Sequence, residues 1–172
     1  GSASVTGKMA LQFGGSADLS ATAGDTGTLT ITSADQAIGS NAGDLMAGAD
    51  LANLLTTSNV VLDTSYVYDS GTLVTDSSIE INDDVSWSSG NNLTLNSGNE
   101  IRINGSLEGD GSDLTLGLGV VKEADPFGSD LGNSADLTVD SSATITAASV
   151  VIKRNTDVEI ERSNSSLGPM GN

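Results

Sequence analysis

Residues 79–116, IEINDDVSWSSGNNLTLNSGNEIRINGSLEGDGSDLTL, decide the fold of this chain because short alternating apolar triplets recur in them. The triplets lie at 79–81, 93–95, 101–103 and 114–116, and each places two apolar side chains on one strand face and a polar one on the other. Leu93 precedes Leu114 by 21 residues, and Ile79 precedes Ile101 by 22, which is a repeat length typical of one solenoid turn. The pattern predicts an all-β chain folded as a parallel β-helix.

The composition fits a narrow, repetitive core. The chain has 172 residues, of which 37% are hydrophobic and only 3% aromatic. Stacked aliphatic rows need few aromatic side chains, whereas the wide interior of an ordinary α/β domain needs more. The apolar residues also alternate in register, which disordered chains do not show. We therefore expect a single β-helix domain over 1–172.

The charge and the missing residue types exclude several functions. The net charge of −17 disfavours nucleic acid and anionic membranes, because each phosphate contact needs a cation to replace a counterion. No run approaches the ~20 apolar residues of a membrane helix, so we expect no membrane insertion by this segment. The chain has no His and no Cys, which removes the usual general base and the thiolate nucleophile. The sequence indicates a protein that is not an enzyme, with no catalytic residue.

Several segments depart from the repeat. Residues 9–13 and 17–21 alternate as strands do, and 28–32 follows a glycine turn, so that 17–32 fits either a hairpin or stacked strands. Residues 36–56 are densely apolar and predict an insert or cap, with a short helical or loop insert near 44–55. We expect a helix over 49–55, capped by Asp44 or Asp50. Residues 120–134 contain Pro126 and predict a loop insertion.

The ends of the chain suggest a piece of a longer protein. Residues 1–2, Gly-Ser, are typical of a cloning remnant, and the polar tail at 163–172 has no capping pattern. Mass spectrometry of the protein from its natural source tests this expectation.

The triplets also predict which side chains stack. We expect Leu93, Leu114 and Leu137 to form one interior row and Thr94, Thr115 and Thr138 an outward ladder. A second interior row then contains the three residues that follow these threonines: Leu95, Leu116 and Val139.

Three aromatic residues in polar segments are candidate partner-binding residues: Tyr66 and Tyr68 at 65–75, and Phe127 in the loop insertion. Aromatic side chains give contact area at low entropic cost, although the tyrosines fit equally well against the outer wall of the stack. Trp87 is expected to pack at a corner or over the neighbouring strand, with its indole N–H on a backbone acceptor.

Signals for metal binding or polysaccharide cleavage are weak. The GDGSD sequence at 109–113 partly resembles a calcium-binding glycine–aspartate repeat, but it occurs once, and a polar corner is the favoured interpretation. Asp83 and Asp84 form a second acidic pair with the same interpretation. We therefore expect no cofactor, with calcium as the alternative. A polysaccharide lyase needs a base beside carboxylates, and Arg102 and Asp83 are the mid-chain candidates.

The order I-x-I-N-D-D-V-S-W, S-G-N-N-L-T-L-N-S-G-N-E-I-R-I-N-G and L-T-L over 79–119 resembles the exoproteins of two-partner secretion, of the filamentous haemagglutinin and high-molecular-weight adhesin type. The resemblance covers about a quarter of the chain. It implies a right-handed parallel β-helix from the body of a bacterial adhesin. The family's N-P-N-L and N-P-N-G-I motifs are missing here, so the secretion domain is not expected in this segment.

The same resemblance implies a location and partners. We expect a secreted or cell-surface protein involved in virulence, exported through an outer-membrane secretion partner. It would attach to a host-cell receptor or glycan, or to other cells, or would serve as a stalk. The alternative is a β-helical carbohydrate-active enzyme of the polysaccharide lyase type.

Overall fold

The structure, a computed structural model, describes residues 1–7, 11–65, 77–120 and 135–154, and the backbone of four short strands at 68–69, 72–73, 159–163 and 166–167. These residues form strands and one helix. In chain order they are β1 (Ser2–Thr6), β2 (Thr28–Thr32), β3 (Gln36–Ile38), α1 (Gly48–Thr57), β4 (Asn59–Thr64), β5 (Tyr68–Asp69), β6 (Thr72–Leu73), β7 (Ser78–Ile81), β8 (Val85–Trp87), β9 (Leu93–Ser97), β10 (Glu100–Ile103), β11 (Leu107–Leu118), β12 (Asp136–Val139), β13 (Ile145–Arg154), β14 (Glu159–Ser163) and β15 (Ser166–Leu167).

Two parallel sheets make up most of the fold. The first has the order β1-β2-β4-β9-β11-β13-β14, and its pairings are parallel from β1 through β13. The second has the order β12-β10-β7-β3 and is parallel throughout. Since parallel neighbours cannot be joined by a tight hairpin, the chain leaves each sheet and returns to it. The all-β class and the parallel pairing predicted from the triplets are confirmed.

The first sheet aligns the alternating side chains in register. Leu93 lies opposite Leu114, Leu95 opposite Leu116, and Thr94 opposite Thr115, as the 21-residue spacing predicts. The interior rows extend through neighbouring strands. They contain Leu29, Val60, Leu93, Leu114 and Val150 in one row and Ile31, Leu62, Leu95, Leu116 and Ile152 in the other. All except Ile152 are buried, so these rows form one side of the core.

The second sheet corrects the assignment of residues 137–139. Ile101 lies opposite Ile79, as the 22-residue spacing predicts, but Leu137 lies opposite Ile101 and Val139 opposite Ile103. The prediction that Leu137, Thr138 and Val139 continue the rows of 93–95 and 114–116 is therefore wrong. Strands of both sheets carry the same alternating triplet, so the pattern does not distinguish them. The segment 121–134 also lengthens this interval, and Val150 takes the position opposite Leu114.

A third set of parallel strand segments, β8 with the first residues of β11 and of β13, belongs by its hydrogen bonds to the first sheet. Val85 of β8 lies opposite Leu107 of β11, which lies opposite Ile145 of β13, and all three side chains are buried. Helix α1 follows β3 in the chain as β8 follows β7, and it packs against β8. From β7 to β13 the chain alternates between the second sheet and the first.

Helix α1 confirms the prediction at 49–55 but not the predicted caps. Leu51 and Leu55 are fully buried, which explains why this amphipathic segment folds as a helix against the core. Ala47 precedes the helix and makes no capping side-chain hydrogen bond. Asp44 instead accepts a hydrogen bond from the N–H of Asn41 (2.8 Å), and Asp50 lies in the first helical turn. A distant residue, Asp83, accepts the N–H of Gly48 at 3.1 Å.

The segment at 36–56, expected as an insert or cap, is divided between a sheet and the helix. Gln36–Ile38 forms β3, which pairs with β7 in the second sheet. Only the part from Gly48 onward is helical.

Residues 17–21 do not form the predicted strand. Ala17 O accepts a hydrogen bond from Thr57 Oγ1 at the C-terminal end of α1 (2.9 Å), and Leu19 O accepts one from the N–H of Gly27 (2.8 Å). Just before this segment, the N–H of Phe13 donates to Leu45 O (2.7 Å). The apolar residues of this segment are partly buried against the core: Leu11, Phe13, Ala17 and Leu19. The alternation thus reflects packing on the core and not sheet pairing. Of the predicted strand at 9–13, residues 9–10 lie outside the described residues, and the first strand is Ser2–Thr6.

Where the chain turns into a strand, side chains from an earlier turn accept hydrogen bonds from the backbone of a later turn. Asn59 Oδ1 accepts the N–H of Asn92 (2.8 Å), and Asn92 Oδ1 accepts the N–H of Asp113 (2.9 Å). At another corner Asp84 Oδ1 accepts the N–H of Ser106 (2.7 Å), and Ser106 Oγ accepts the N–H of Thr144 (3.1 Å). In each case an earlier side chain accepts from a later backbone, which satisfies N–H groups where the chain turns.

The last parallel strand of the first sheet, β13, pairs with strands of opposite direction. β14 and β15 both pair antiparallel with β13. Lys153 lies opposite Glu159 in this pairing.

In the described part of the chain, no helix has both the length and the apolar character needed to cross a membrane.

Candidate functional site

The predicted partner-binding residues fall largely outside the described residues. Tyr66 and Phe127 lie outside them, as do residues 121–134 of the predicted loop insertion. Tyr68 belongs to the two-residue strand β5, which pairs antiparallel with β6. The polar segment at 65–75 therefore contains a short antiparallel strand pair, which lies between β4 and β7 in the chain.

An open groove of about 760 Å³ lies on the surface of the third strand set. It crosses β8, β11 and β13, which are adjacent in register. Its described lining residues are Ser86, Trp87, Ser88, Glu108, Gly109, Asp110, Gly111, Thr146, Ala147 and Ala148. This groove is the candidate functional site of the described chain.

A bulge in β11 shapes one side of the groove. Gly109 pairs with Ala147 and Asp113 with Ser149, so residues 110–112 lie opposite the single residue Ala148. Extra residues in one strand bend it and change the direction of its side chains. Gly111 has φ +69°, a left-handed conformation that glycine adopts without strain. The bulge thus places Asp110 and Gly111 at the rim.

Trp87 packs closely against Gly109 in the groove. A Cβ at Gly109 would overlap the indole ring of Trp87 and the hydroxyl of Ser112. The ring is buried, and its Nε1–H donates to Asn91 O at 2.8 Å, which confirms the predicted backbone acceptor. Trp87, Gly109 and Ala147 lie opposite one another on the three strands, so two small residues lie beside the indole ring at this level.

Hydroxyls and carboxylates form the polar part of the groove's lining. Ser86 lies opposite Glu108, and Glu108 lies opposite Thr146, so one row alternates hydroxyl, carboxylate and hydroxyl. All three residues are exposed, as is Asp110. The described lining residues include two acids and no Lys or Arg. The groove is therefore rich in hydrogen-bond acceptors and negatively charged.

The GDGSD sequence at 109–113 is divided between the groove and a neighbouring corner. Asp110 lines the groove, whereas the backbone N–H of Asp113 bonds to Asn92 at the neighbouring corner. Among the residues that the structure describes, no group of three or more acidic side chains is placed to hold a metal ion.

The acid–base candidates Asp83 and Arg102 bind different partners. Asp83 accepts from Gly48 N–H and from Ser40 Oγ (2.9 Å), so it connects the start of α1 to the corner after β7. Arg102 donates to Glu100 (2.7 Å) and Glu80 (3.3 Å) on the outward face of the second sheet. The hydrogen bond and charge of Glu100, followed by Glu80, raise the pKa of Arg102 above its ordinary value. A guanidinium held in its charged form is a poor proton acceptor.

Sequence reasoning did not find the groove. The sequence signal for the groove is that the small residues at 147–148 align with the glycines at 109 and 111. That alignment can be recognised only if β13 is known to pair with β11. The segment 121–134 between these strands obscures that register.

Comparisons of this chain with models of protein families, with curated proteins and with solved structures found no match.

Proposed function

We propose that this chain is a right-handed parallel β-helix from the body of a bacterial surface or secreted adhesin, which attaches to a receptor or glycan or serves as a stalk. The observation that carries the proposal is the interior row through Leu29, Val60, Leu93, Leu114 and Val150, formed by parallel strands from distant parts of the chain. One such row on each strand set is the arrangement that a solenoid requires.

The order of the elements supports a helical path. The chain passes from β7 in the second sheet through β8 to β9 in the first sheet, and then from β10 through β11 to β12 and β13. Connections between parallel strands of one sheet are right-handed in about 98% of cases, which supports the proposed handedness.

The dimensions suit an extended element. The parallel strands β1, β2, β4, β9, β11 and β13 are separated by about 4.8 Å each, so the stack is about 24 Å long. Repetition of the same unit lengthens such a rod without enlarging its core. The net charge of −17 favours solubility of the long surface that results.

The sequence resemblance to two-partner secretion exoproteins supports the adhesive role and the surface location. Within 79–116, β7 pairs with β10 and β9 with the second part of β11, both in register. The polysaccharide lyase alternative needs a free base beside carboxylates, and the engagement of Arg102 with Glu80 and Glu100 weighs against it.

Attachment of beads coated with the chain tests this function. Coated and uncoated beads are compared on epithelial cells, with circular dichroism to establish that the protein is folded and rich in β-structure. We expect coated beads to attach specifically. Folded protein without attachment would contradict an adhesive role for this segment and leave only the stalk.

A further inference from the structure

We infer that the groove over β8, β11 and β13 binds a neutral, polyhydroxylated sugar unit; this inference rests on the proposed attachment function and names the ligand class of one site within it.

The chemistry of the lining selects a ligand rich in donors. Ionised Glu108 and Asp110 are acceptors only, with several lone pairs each. Ser86 and Thr146 flank Glu108 on the neighbouring strands and either donate or accept. A sugar ring presents several hydroxyl donors on adjacent carbons, which match carboxylates flanked by hydroxyls.

The dimensions of the groove fit one or two sugar rings. The distance from β8 to β13 is two strand spacings, about 10 Å. Glu108 and Asp110 are two residues apart on one strand and both exposed, which separates their Cα atoms by about 7 Å. Gly109, Gly111 and Ala148 leave the space between these polar side chains open.

The charge disfavours acidic sugars. A uronate would bring a third carboxylate beside Glu108 and Asp110, and the described lining offers no Lys or Arg to neutralise it. The ligand class therefore differs from the uronate polymers that the lyase alternative would cleave.

Backbone amide shifts measured by NMR test the site. The whole chain is titrated with matched sugar pairs that differ at one carbon, galactose with galacturonate and glucose with glucuronate, and with N-acetylglucosamine. For at least one neutral sugar we expect saturable shifts at 86–88, 108–111 and 146–148, with a Kd on the order of 1 mM, as for a small ligand in an open site. The uronate partner of that sugar should bind at least about tenfold more weakly.

Two variants and a matched control assign the binding. Asp110→Ala and Glu108→Ala should each weaken binding about tenfold, the usual effect of removing a hydrogen bond to a charged group. Glu80→Ala also removes a carboxylate, but from β7 of the second sheet, and should leave binding unchanged. Circular dichroism of each variant establishes that it is folded.

The inference is overturned if no neutral sugar shifts these amides, if uronates bind as tightly, or if the groove variants bind like the Glu80 control. These outcomes are independent of the bead assay, which reports attachment by any part of the chain. If beads coated with the Asp110→Ala variant still attach to cells, and no neutral sugar shifts the groove amides, the sugar inference fails but the proposed attachment function stands. The ligand would then bind another part of the chain.

Discussion

The side-chain oxygen of Asn92 accepts a hydrogen bond from the backbone N–H of Asp113 at 2.9 Å. The two residues immediately precede Leu93 and Leu114, which lie opposite each other in the first sheet. Asn59 makes the same bond to the N–H of Asn92 (2.8 Å). An amide side chain at the corner thus extends the hydrogen-bonded register of the strands by one residue.

Replacing Asn92 by Ala should lower the free energy of unfolding by about 1 kcal/mol, because the N–H of Asp113 loses its acceptor. Asn92→Asp retains an acceptor oxygen and should recover most of the loss. Urea unfolding followed by circular dichroism measures both. Asn53→Ala, on the exposed side of α1, is the control and should be nearly neutral. Equal stability of the Ala and Asp variants would contradict the role of the side-chain acceptor.

The two faces of β11 should respond differently to a charge. Leu116 is fully buried in the interior row, so Leu116→Lys places an unpaired ammonium in the core and should cost at least about 3 kcal/mol. Thr115 is half-buried on the other face, and Thr115→Lys should cost less than about 1 kcal/mol. The midpoints of urea unfolding compare them. If Thr115→Lys destabilises the chain as much as Leu116→Lys, the assignment of Leu116 to the interior face of β11 and Thr115 to the outer face is wrong.

The glycine next to Trp87 should tolerate no side chain. Gly109→Ala introduces a Cβ that overlaps the buried indole ring, and overpacking of this kind costs about 1–3 kcal/mol. Gly14→Ala is the matched control, since a Cβ there meets no heavy atom within 4 Å. Thermal unfolding should show a lower Tm for the first variant only. A Gly109→Ala protein as stable as the control would contradict the packing of Trp87 against β11.

The turn after β12 should contribute stability that depends on pH. Asp140 accepts hydrogen bonds from the backbone N–H of Ser142 (2.8 Å) and from its hydroxyl (2.7 Å), which lower the pKa of this carboxyl below its ordinary value. A lowered folded-state pKa means that this contribution is present above the unfolded pKa of about 3.9 and is lost as the pH falls through the folded value.

Titration of the Asp140 carboxyl carbon by NMR measures that pKa directly. Ser142→Ala removes the hydroxyl but keeps the backbone N–H, so the pKa of Asp140 should rise part of the way to its ordinary value. A pKa unchanged in this variant would mean that the hydroxyl does not bond to the carboxylate.

Sequence periodicity predicts pairing where one repeat follows the next without interruption. Leu93 and Leu114 align because the 20 residues between them hold no long excursion, and the same is true of Ile79 and Ile101. Leu137 was misassigned because strands of both sheets carry the same alternating triplet and the segment 121–134 breaks the spacing.

Features that depend on contacts between distant residues were beyond prediction. The N–H of Gly48 at the start of α1 donates to the carboxylate of Asp83, 35 residues away in the sequence. Capping patterns consider only neighbouring residues, so they cannot predict this acceptor. The groove likewise forms only when β13 pairs with β11, opposite a bulge that the sequence shows only as two extra polar residues.

Disulfide formation between paired cysteines tests the parallel stack most directly, because the chain has no Cys of its own. Thr94 and Thr115 lie opposite each other on neighbouring strands about 4.8 Å apart, within the Cα separation that a disulfide spans. Thr94→Cys with Thr115→Cys should therefore cross-link under mild oxidation. Thr94→Cys with Thr138→Cys should not, since Thr138 lies opposite Arg102 in the second sheet. A cross-link in the second pair but not in the first would contradict the register on which the proposed β-helix depends.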